Sequence, residues 1–298
     1  MSVSEETLVS WSNGPSQTEM DKCGNAERAI RKAIDANEEL SKLDISIFAT
    51  GSYAVRTNVR QDSDVDVCLR YNSAWFAVYP EGTSMATFGH SDATVTFPVF
   101  KNKVGNALRQ YFLDDNVTHG GKAFTIHANT YRIDTDVLPT FERRRYFQNP
   151  DRSFSYIAGV GFWTDQGLFI ENYPQQTYDN GVSKNDATSR CYKRTIRILK
   201  RMRNKMQEDK IADADNIASF LIECLAWNTP VEVFHKATYT EVLRCLLIHV
   251  YGKTEKEEDC SKWAEVNGIK YLFHASQPWT REQARKFTVA VWNYIGLK

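Results

Sequence analysis

The segment Ser63-Asp64-Val65-Asp66-Val67-Cys68-Leu69 decides how this chain is interpreted. Acidic and apolar residues alternate along it, which is typical of a β-strand because successive side chains point to opposite faces of a sheet. We therefore expect Asp64 and Asp66 to share one face, while the two valines and Leu69 enter the core. Two carboxylates on one face repel each other strongly unless a cation lies between them.

A second segment lies upstream of this strand. The run Ile45 to Ala49 predicts a short strand that ends in Thr50-Gly51-Ser52. Glycine allows the backbone to approach a phosphate closely, and Ser52 adds a hydroxyl and an N–H donor. We expect Gly51 and Ser52 to bind phosphate groups.

A third segment lies downstream, where Ile133-Asp134-Thr135-Asp136 completes a strand predicted from about Ala123 to Val137 and ending at Pro139. A carboxylate from this strand would complete a magnesium site of hard oxygen ligands. One Asp-x-Asp pair alone is weak evidence, because exposed strand faces commonly carry acids. The ordered set of three segments is stronger.

Asp134 is an alternative to Asp136, since it lies two residues away on the same strand face. The following Val137-Leu138-Pro139 favours Asp136 as the ligand. Asp134 would then either support the site indirectly or face solvent.

Helical periodicity begins before this region and dominates after it. It runs from about Thr18 to Leu43, with Ser16 or Thr18 as the N-cap, and returns from Lys101 to Leu113. The C-terminal part is nearly all helical. Its clearest segments are 216–227, 240–251 and 281–295.

The middle of the chain, residues 142–189, is rich in Asn, Gly, Asp, Pro and aromatic residues. Ile157 to Pro174 predicts a β-hairpin that turns at residues 165–167. We expect the rest to form long irregular loops, which in compact proteins are often functional.

Composition limits the partners and the compartment. Lys plus Arg and Asp plus Glu both total 37, so the formal net charge is zero and gives no general attraction to nucleic acid or anionic membranes. No apolar run reaches the ~20 residues of a membrane span. The six cysteines include no CxxC pair, and the first residues contain no apolar signal segment. We expect a soluble cytoplasmic protein.

Basic residues are concentrated between positions 190 and 205, a run without any acid. Arg203 and Lys205 fit an ordinary solvated helix face. The imbalance of the run within a neutral chain favours a side that faces phosphates.

The order Gly51-Ser52, Asp64-x-Asp66 and Asp136-Val-Leu-Pro resembles the polymerase-β-type nucleotidyltransferase superfamily. Within it, the chain resembles the branch of the oligoadenylate synthetases and the cGAS/DncV-like nucleotidyltransferases, over roughly residues 10 to 298. The run 136–141 is close to the third-aspartate motif of the oligoadenylate synthetases, whereas the wider layout is closer to the bacterial cyclic-oligonucleotide synthases.

This resemblance implies an α+β fold, in which a nucleotidyltransferase lobe with a mixed sheet packs against a C-terminal helical lobe. Residues 1–43 would form an N-terminal helix that bridges the lobes, residues 44–185 the catalytic lobe, and residues 186–298 the helical lobe that completes the nucleotide cleft.

The resemblance also implies roles for three C-terminal residues. Lys200 falls where family members place a lysine on the triphosphate, and Ser219 falls where a serine binds phosphate. Phe220 would pack on a base. Ser219 could equally be a helix N-cap, and Phe220 could simply belong to the core.

The implied chemistry is nucleotidyl transfer with two Mg²⁺ ions, for which Mn²⁺ is an alternative. Asp64 and Asp66 would hold both ions, and Asp136 would hold the ion beside the attacking hydroxyl. Asp136 is also the candidate to take the hydroxyl proton.

The function expected from the resemblance is the joining of NTPs into a cyclic di- or oligonucleotide second messenger for bacterial antiphage signalling of the CBASS type, acting through a downstream effector protein. The alternatives are a linear 2′-5′ oligoadenylate-type synthase, transfer of a nucleotide onto a protein or tRNA, and an inactive binding module. The neutral charge and the lack of a zinc-ligand insertion argue against activation by nucleic acid, and we expect a monomer.

Overall fold

The computed structural model describes residues 3–59 and 64–297. Within them the helices are α1 Glu5–Ser12, α2 Gln17–Asp35, α3 Gly51–Ala54, α4 Phe97–Phe112, α5 Pro174–Ala187, α6 Cys191–Glu208, α7 Ser219–Trp227, α8 Tyr239–Lys253, α9 Glu257–Cys260 and α10 Arg281–Ile295. The strands are β1 Ile45–Thr50, β2 Val65–Val78, β3 Val117–His119, β4 Phe124–Ile126, β5 Thr135–Gln148, β6 Phe154–Trp163 and β7 Phe169–Asn172.

The chain forms two compact units. The sheet unit comprises Ser16–Ala54 and Ser63–Pro174, and the helical unit comprises Met1–Pro15, Val55–Asp62 and Gln175–Lys298. Helix α1 therefore groups with the C-terminal helices, whereas α2 groups with the sheet. The segment expected to be one N-terminal helix contains both of them.

The sheet unit contains a mixed sheet in the order β1-β2-β5-β4-β3, with β6 paired to β5 and β7 paired to β6. Strands β2 and β5 are parallel, and the other pairs are antiparallel. The predicted α+β class with a mixed sheet is confirmed. The predicted hairpin is also confirmed, since Trp163 of β6 pairs with Phe169 of β7.

The core of the sheet unit lies on one face of β2. Val65, Val67 and Leu69 are fully buried there, as predicted, against apolar residues of α2 and α4. Burying side chains of this size contributes roughly 1.5–3 kcal/mol each. By strand alternation, Asp66 lies on the opposite face.

The cap of α2 is one of the two that were expected. Ser16 accepts a hydrogen bond from the backbone N–H of Glu19 at 3.3 Å, and the Glu19 carboxylate accepts one from the Ser16 backbone N–H at 2.7 Å. This reciprocal arrangement satisfies two N–H groups that have no partner within a helix.

Two expectations about the middle of the chain are wrong. The strand expected from about Ala123 to Pro139 starts at Thr135 and continues through Pro139 to Gln148. Pro139 pairs with Leu69 of β2 on one edge of β5. On the other edge, β4 pairs only up to Val137 and β6 only from Phe141 onward, so Pro139 has no partner strand there and a proline is tolerated. Residues 142–189 are mostly strands and helix α5 instead of irregular loops.

The helical unit has its own core, formed mainly by α6, α7, α8 and α10. The predicted segments 216–227, 240–251 and 281–295 correspond to α7, α8 and α10. None of the helices in the described part of the chain is both long enough and apolar enough to cross a membrane.

Candidate active site

Four adjacent strands each contribute one residue to a single row across the sheet. Thr50 of β1 pairs with Asp66 of β2, Asp66 pairs with Asp136 of β5, and Asp136 pairs with Thr125 of β4. We call Thr50, Asp66, Asp136 and Thr125 the acidic row. Neighbouring strands lie about 5 Å apart, so the row places two carboxylate-bearing residues side by side.

The electrostatics of the acidic row follow from this pairing. The pKa of Asp66 is raised from its ordinary value of 3.8 to about 6, first by burial and then by the negative charges of Asp136 and Asp64. The ionised form of Asp66 is therefore disfavoured, and a cation among the three carboxylates would favour it again.

Asp136 and Asp134 have different surroundings. The Thr125 hydroxyl donates a hydrogen bond to Oδ1 of Asp136 at 2.6 Å. Asp134 instead accepts the backbone N–H of Ala128 at 2.6 Å and lies 3.9 Å from Nδ1 of His127. The pairing with Asp66 supports Asp136 as the predicted metal ligand. The Asp134 carboxylate instead holds the turn before β5 through its hydrogen bond with Ala128.

Gly51 lies directly against the acidic row. It begins α3 with φ +64°, a left-handed conformation that favours glycine. A Cβ on Gly51 would overlap Oδ2 of Asp66 and lie 3.1 Å from its Cγ. Ser52 follows in the first turn of the short helix and is partly exposed. The structure therefore brings Gly51 and Asp66 together, and phosphate binding by Gly51 and Ser52 stays a prediction.

The donor chemistry of Asp64, Asp66 and Asp136 fits Mg²⁺, which prefers carboxylate oxygens. Asp64 is exposed just before β2 and next to residues 60–63, which lie outside the described residues. Within residues 3–59 and 64–297, no group of three or more His, Cys, Asp or Glu side chains is arranged to hold a metal ion. Metal binding by the three aspartates stays a prediction, supported by their chemistry and by the strand register.

Lys200 is in the interior of the helical unit. Its side chain is fully buried, and its Nζ lies 2.7 Å from Oε1 of Glu223 and 3.5 Å from the hydroxyl of Thr57. The Thr57 hydroxyl also donates to Glu223 at 2.7 Å. Phosphate binding by Lys200 stays a prediction, and it would require the ammonium group to leave this buried pair.

The Lys200–Glu223 pair gives a direct test. We expect Glu223→Ala to reduce the free energy of unfolding of the helical unit by about 3–5 kcal/mol, because a buried ammonium group is left without its counterion. The measurement is urea unfolding followed by far-UV circular dichroism. The double replacement Lys200→Met with Glu223→Leu should recover most of the loss. A single variant within 1 kcal/mol of the parent protein would contradict this role.

Ser219 and Phe220 begin α7, whose N-cap is Ala218. Ser219 is therefore not the cap, and its hydroxyl lies 3.1 Å from Nη2 of Arg203. Phe220 is partly buried against the helical core and lies 6.2 Å from the Trp279 ring, centroid to centroid. Because Phe220 is partly exposed, it could still contact a base, and base stacking by Phe220 stays a prediction.

The basic helix α6 differs from the expected pattern. Arg203 is buried, not solvated, because its guanidinium also donates to the Ile217 carbonyl at 2.7 Å. Lys205 is on the solvated face as expected. Arg197 donates to the Ser12 carbonyl at 2.7 Å, and Arg201 donates to the Ser10 carbonyl at 3.0 Å. Part of the basic run thus caps the C-terminal end of α1.

Three residues that contact predicted site residues were not expected to do so. Thr125 aligns with Asp136, Glu223 pairs with Lys200, and Arg203 contacts Ser219. The sequence held one usable signal, since Glu223 is an acid within the otherwise apolar run 220–227. The other two contacts follow from strand register and helix packing.

Comparisons with known proteins match both parts of the chain. Residues 179–296 match the family model for the cGAS/DncV-like nucleotidyltransferase C-terminal helical domain. Residues 30–82 match the model for a nucleotidyltransferase domain.

Full-length relatives are also found. The cyclic dipyrimidine nucleotide synthase CdnE of Cecembia lonarensis is 39% identical and aligns over 98% of both chains. The cyclic dipurine nucleotide synthase of Elizabethkingia meningoseptica is 34% identical and aligns over 99% of both. Among solved structures, the Rhodothermus marinus CdnE c-UMP-AMP synthase with Apcpp and Upnpp has a TM-score of 0.86 and 30% identity, covering 99% of this chain and 98% of that one.

Proposed function

The chain belongs to the cGAS/DncV-like nucleotidyltransferases, and from this membership we propose that it joins two nucleoside triphosphates into a cyclic dinucleotide second messenger. The observation that carries the proposal is the pairing of Asp66 with Asp136 across two parallel strands, with the Gly51 backbone against the Asp66 carboxylate. The relatives named above are cyclic nucleotide synthases, and each aligns with nearly the whole chain.

The carboxylates of Asp64, Asp66 and Asp136 are proposed to hold Mg²⁺, with Mn²⁺ as an alternative. When bound, the ions would polarise the phosphates and lower the pKa of the attacking hydroxyl. Asp136 is proposed to take the proton from the attacking hydroxyl, and the hydrogen bond that it accepts from the Thr125 hydroxyl supports this role by orienting its carboxylate.

Gly51 and Ser52 are proposed to position the phosphates through backbone N–H groups and the serine hydroxyl. Residues 186–298 are proposed to contribute further nucleotide contacts. Ser219 and Phe220 are the partly exposed candidates for these contacts, while Lys200 would first have to separate from Glu223.

The proposed reaction occurs in two equivalent steps. In each, a ribose hydroxyl attacks the α-phosphorus of a nucleoside triphosphate, a phosphodiester forms and pyrophosphate leaves. The second step closes the ring, so each ring releases two pyrophosphates. We further propose that the ring contains at least one pyrimidine, a choice supported by the relatives that make dipyrimidine and UMP-containing products.

Product analysis tests this proposal. The protein is incubated with all four NTPs and MgCl₂, and the products are treated with phosphatase before chromatography and mass spectrometry. We expect a phosphatase-resistant product with a cyclic dinucleotide mass and two pyrophosphates released per molecule. A product that loses a terminal phosphate would be linear, and a ring without any pyrimidine would contradict the proposed base choice.

Two alternatives would give different results in the same assay. A linear 2′-5′ oligoadenylate-type synthase would produce a ladder of phosphatase-sensitive chains. Transfer onto a protein or tRNA would give no small product from NTPs alone. The match to cyclic nucleotide synthases along the whole chain favours the ring.

We propose that the product acts in bacterial antiphage signalling, in the cytoplasm, by binding an effector protein. The zero formal net charge favours an enzyme that does not need nucleic acid for activity. We also propose that the enzyme is a monomer. Turnover that is unchanged after nuclease treatment of the purified enzyme would support activity without nucleic acid.

A further inference from the structure

A pocket of the sheet unit lies away from the acidic row. Its volume is about 420 Å³, within the range of small-molecule sites. Helix α2, the C-terminal end of α4 and the turn at residues 129–132 line it. We call it the α2–α4 pocket.

The charges of the α2–α4 pocket have one sign. Arg28, Lys32 and Arg132 line it, and no lining residue is acidic. Asp114 follows the end of α4 but is paired with Arg109 at 3.8 Å. The pocket therefore presents three cations to a ligand, which favours an anion.

Arg132 is the strongest indication of a ligand. Its side chain is 9% exposed and lies over the Phe112 ring, with Cζ 4.8 Å from the centroid. Its Nε is buried without a hydrogen-bond partner among the described residues, and burial lowers the pKa of the guanidinium. A buried cation normally has a hydrogen-bonded counterion, and an anion in the pocket would supply one.

Two tyrosines give the pocket a flat apolar surface. Tyr111 is 43% exposed and Tyr131 is 53% exposed. Exposed aromatic rings beside cations suit a ligand that combines a planar ring with a phosphate.

The turn that carries Tyr131 and Arg132 is held in place. The side-chain oxygen of Asn129 accepts both of their backbone N–H groups at 2.9 Å. The side-chain amide of Asn25 on α2 donates to the Tyr131 carbonyl at 2.9 Å. The pocket is thus built by hydrogen bonds between separate elements, and little ordering is required on binding.

The pocket is separate from the acidic row. Helices α2 and α4 cover the face of β2 that carries Val65 and Val67, whereas Asp66 lies on the opposite face. No residue of the acidic row lines the pocket.

We propose that the α2–α4 pocket binds a small phosphate-bearing ligand with a planar ring, of the nucleotide class, independently of the acidic row. This proposal does not rest on the reaction proposed above, because its site shares no residue with the catalytic one.

The experiment measures binding when the catalytic site is disabled. The full chain with Asp64→Ala and Asp66→Ala is titrated with AMP, GMP, CMP and UMP in EDTA by isothermal titration calorimetry. We expect one saturable site per chain for at least one of them. Adding Arg132→Gln or Lys32→Gln should weaken binding at least tenfold, whereas Lys122→Gln, which removes an exposed cation outside the pocket, should leave it unchanged.

Lys32 is exposed, so Lys32→Gln remains informative even if Arg132→Gln fails to fold. The proposal is overturned if none of the monophosphates saturates at millimolar concentration, or if Lys32→Gln binds as tightly as its parent. If inorganic phosphate binds as tightly as a nucleotide, the planar ring does not contribute to binding, and that part of the proposal is wrong. Binding of a ten-residue single-stranded RNA without binding of any monophosphate would overturn it in favour of a nucleic-acid surface.

Discussion

Asp66→Asn is expected to reduce pyrophosphate release from NTPs by roughly a thousandfold. Asp66 is central in the acidic row, where its backbone pairs with Asp136 on one side and Thr50 on the other. Asparagine keeps the shape of the side chain but removes the charge that would hold a cation. The measurement is a coupled pyrophosphate assay with all four NTPs and MgCl₂.

Asp134→Asn is the matched control for this experiment. Asp134 is the neighbouring acid that accepts the Ala128 N–H, and asparagine retains the accepting oxygen. We expect turnover within a fewfold of the parent enzyme. The melting temperature of Asp66→Asn should not fall, since the burial and repulsion that raise the pKa of Asp66 disfavour the ionised carboxylate. Unchanged turnover in Asp66→Asn would refute the site.

Gly51→Ala should lower turnover by roughly a hundredfold, because the added methyl group occupies the space of the Asp66 carboxylate. The Asp66 side chain would have to rotate out of the acidic row, and the backbone at φ +64° would be strained as well. The same pyrophosphate assay, at saturating NTP, measures the loss.

Gly82→Ala separates these two causes. Gly82 has a similar φ of +76°, but nothing lies within 4 Å of the position of an added Cβ. It should therefore show the backbone strain, about 1 kcal/mol of stability, with normal turnover. Equal losses of activity in both variants would mean that strain alone, and not displacement of Asp66, explains the effect.

Sequence patterns within a few residues correctly predicted the features that depend on neighbouring residues, such as strand alternation and helix capping. Alternation along residues 64–69 correctly identified the buried face of β2, and Ser16 was recognised as a candidate cap of α2. Helix α1 was missed because eight residues are too few for a periodic signal, and such a short helix depends on tertiary contacts. Those contacts include Arg197 and Arg201, which lie far along the chain.

The site was predictable as a set of residues but not as an arrangement. No local pattern shows that Asp66 and Asp136 pair in register, because register depends on packing between distant strands. The burial of Lys200 had a weak signal. It lies four residues after the buried Ile196 and therefore on the same helix face. The many basic residues of α6 led instead to the prediction that Lys200 faces solvent and contacts phosphate.

The parallel pairing of β2 with β5 also bears on how the enzyme folds. The two central carboxylates come from strands separated by α4, β3 and β4, so they meet only after a long chain segment has closed. Closing such loops lowers entropy before any contact is gained, and non-local parallel pairing is slow to form. A nascent chain that has not yet reached β5 lacks Asp136. Catalytic competence should therefore appear late in folding, after the antiparallel pair of β1 and β2 has formed.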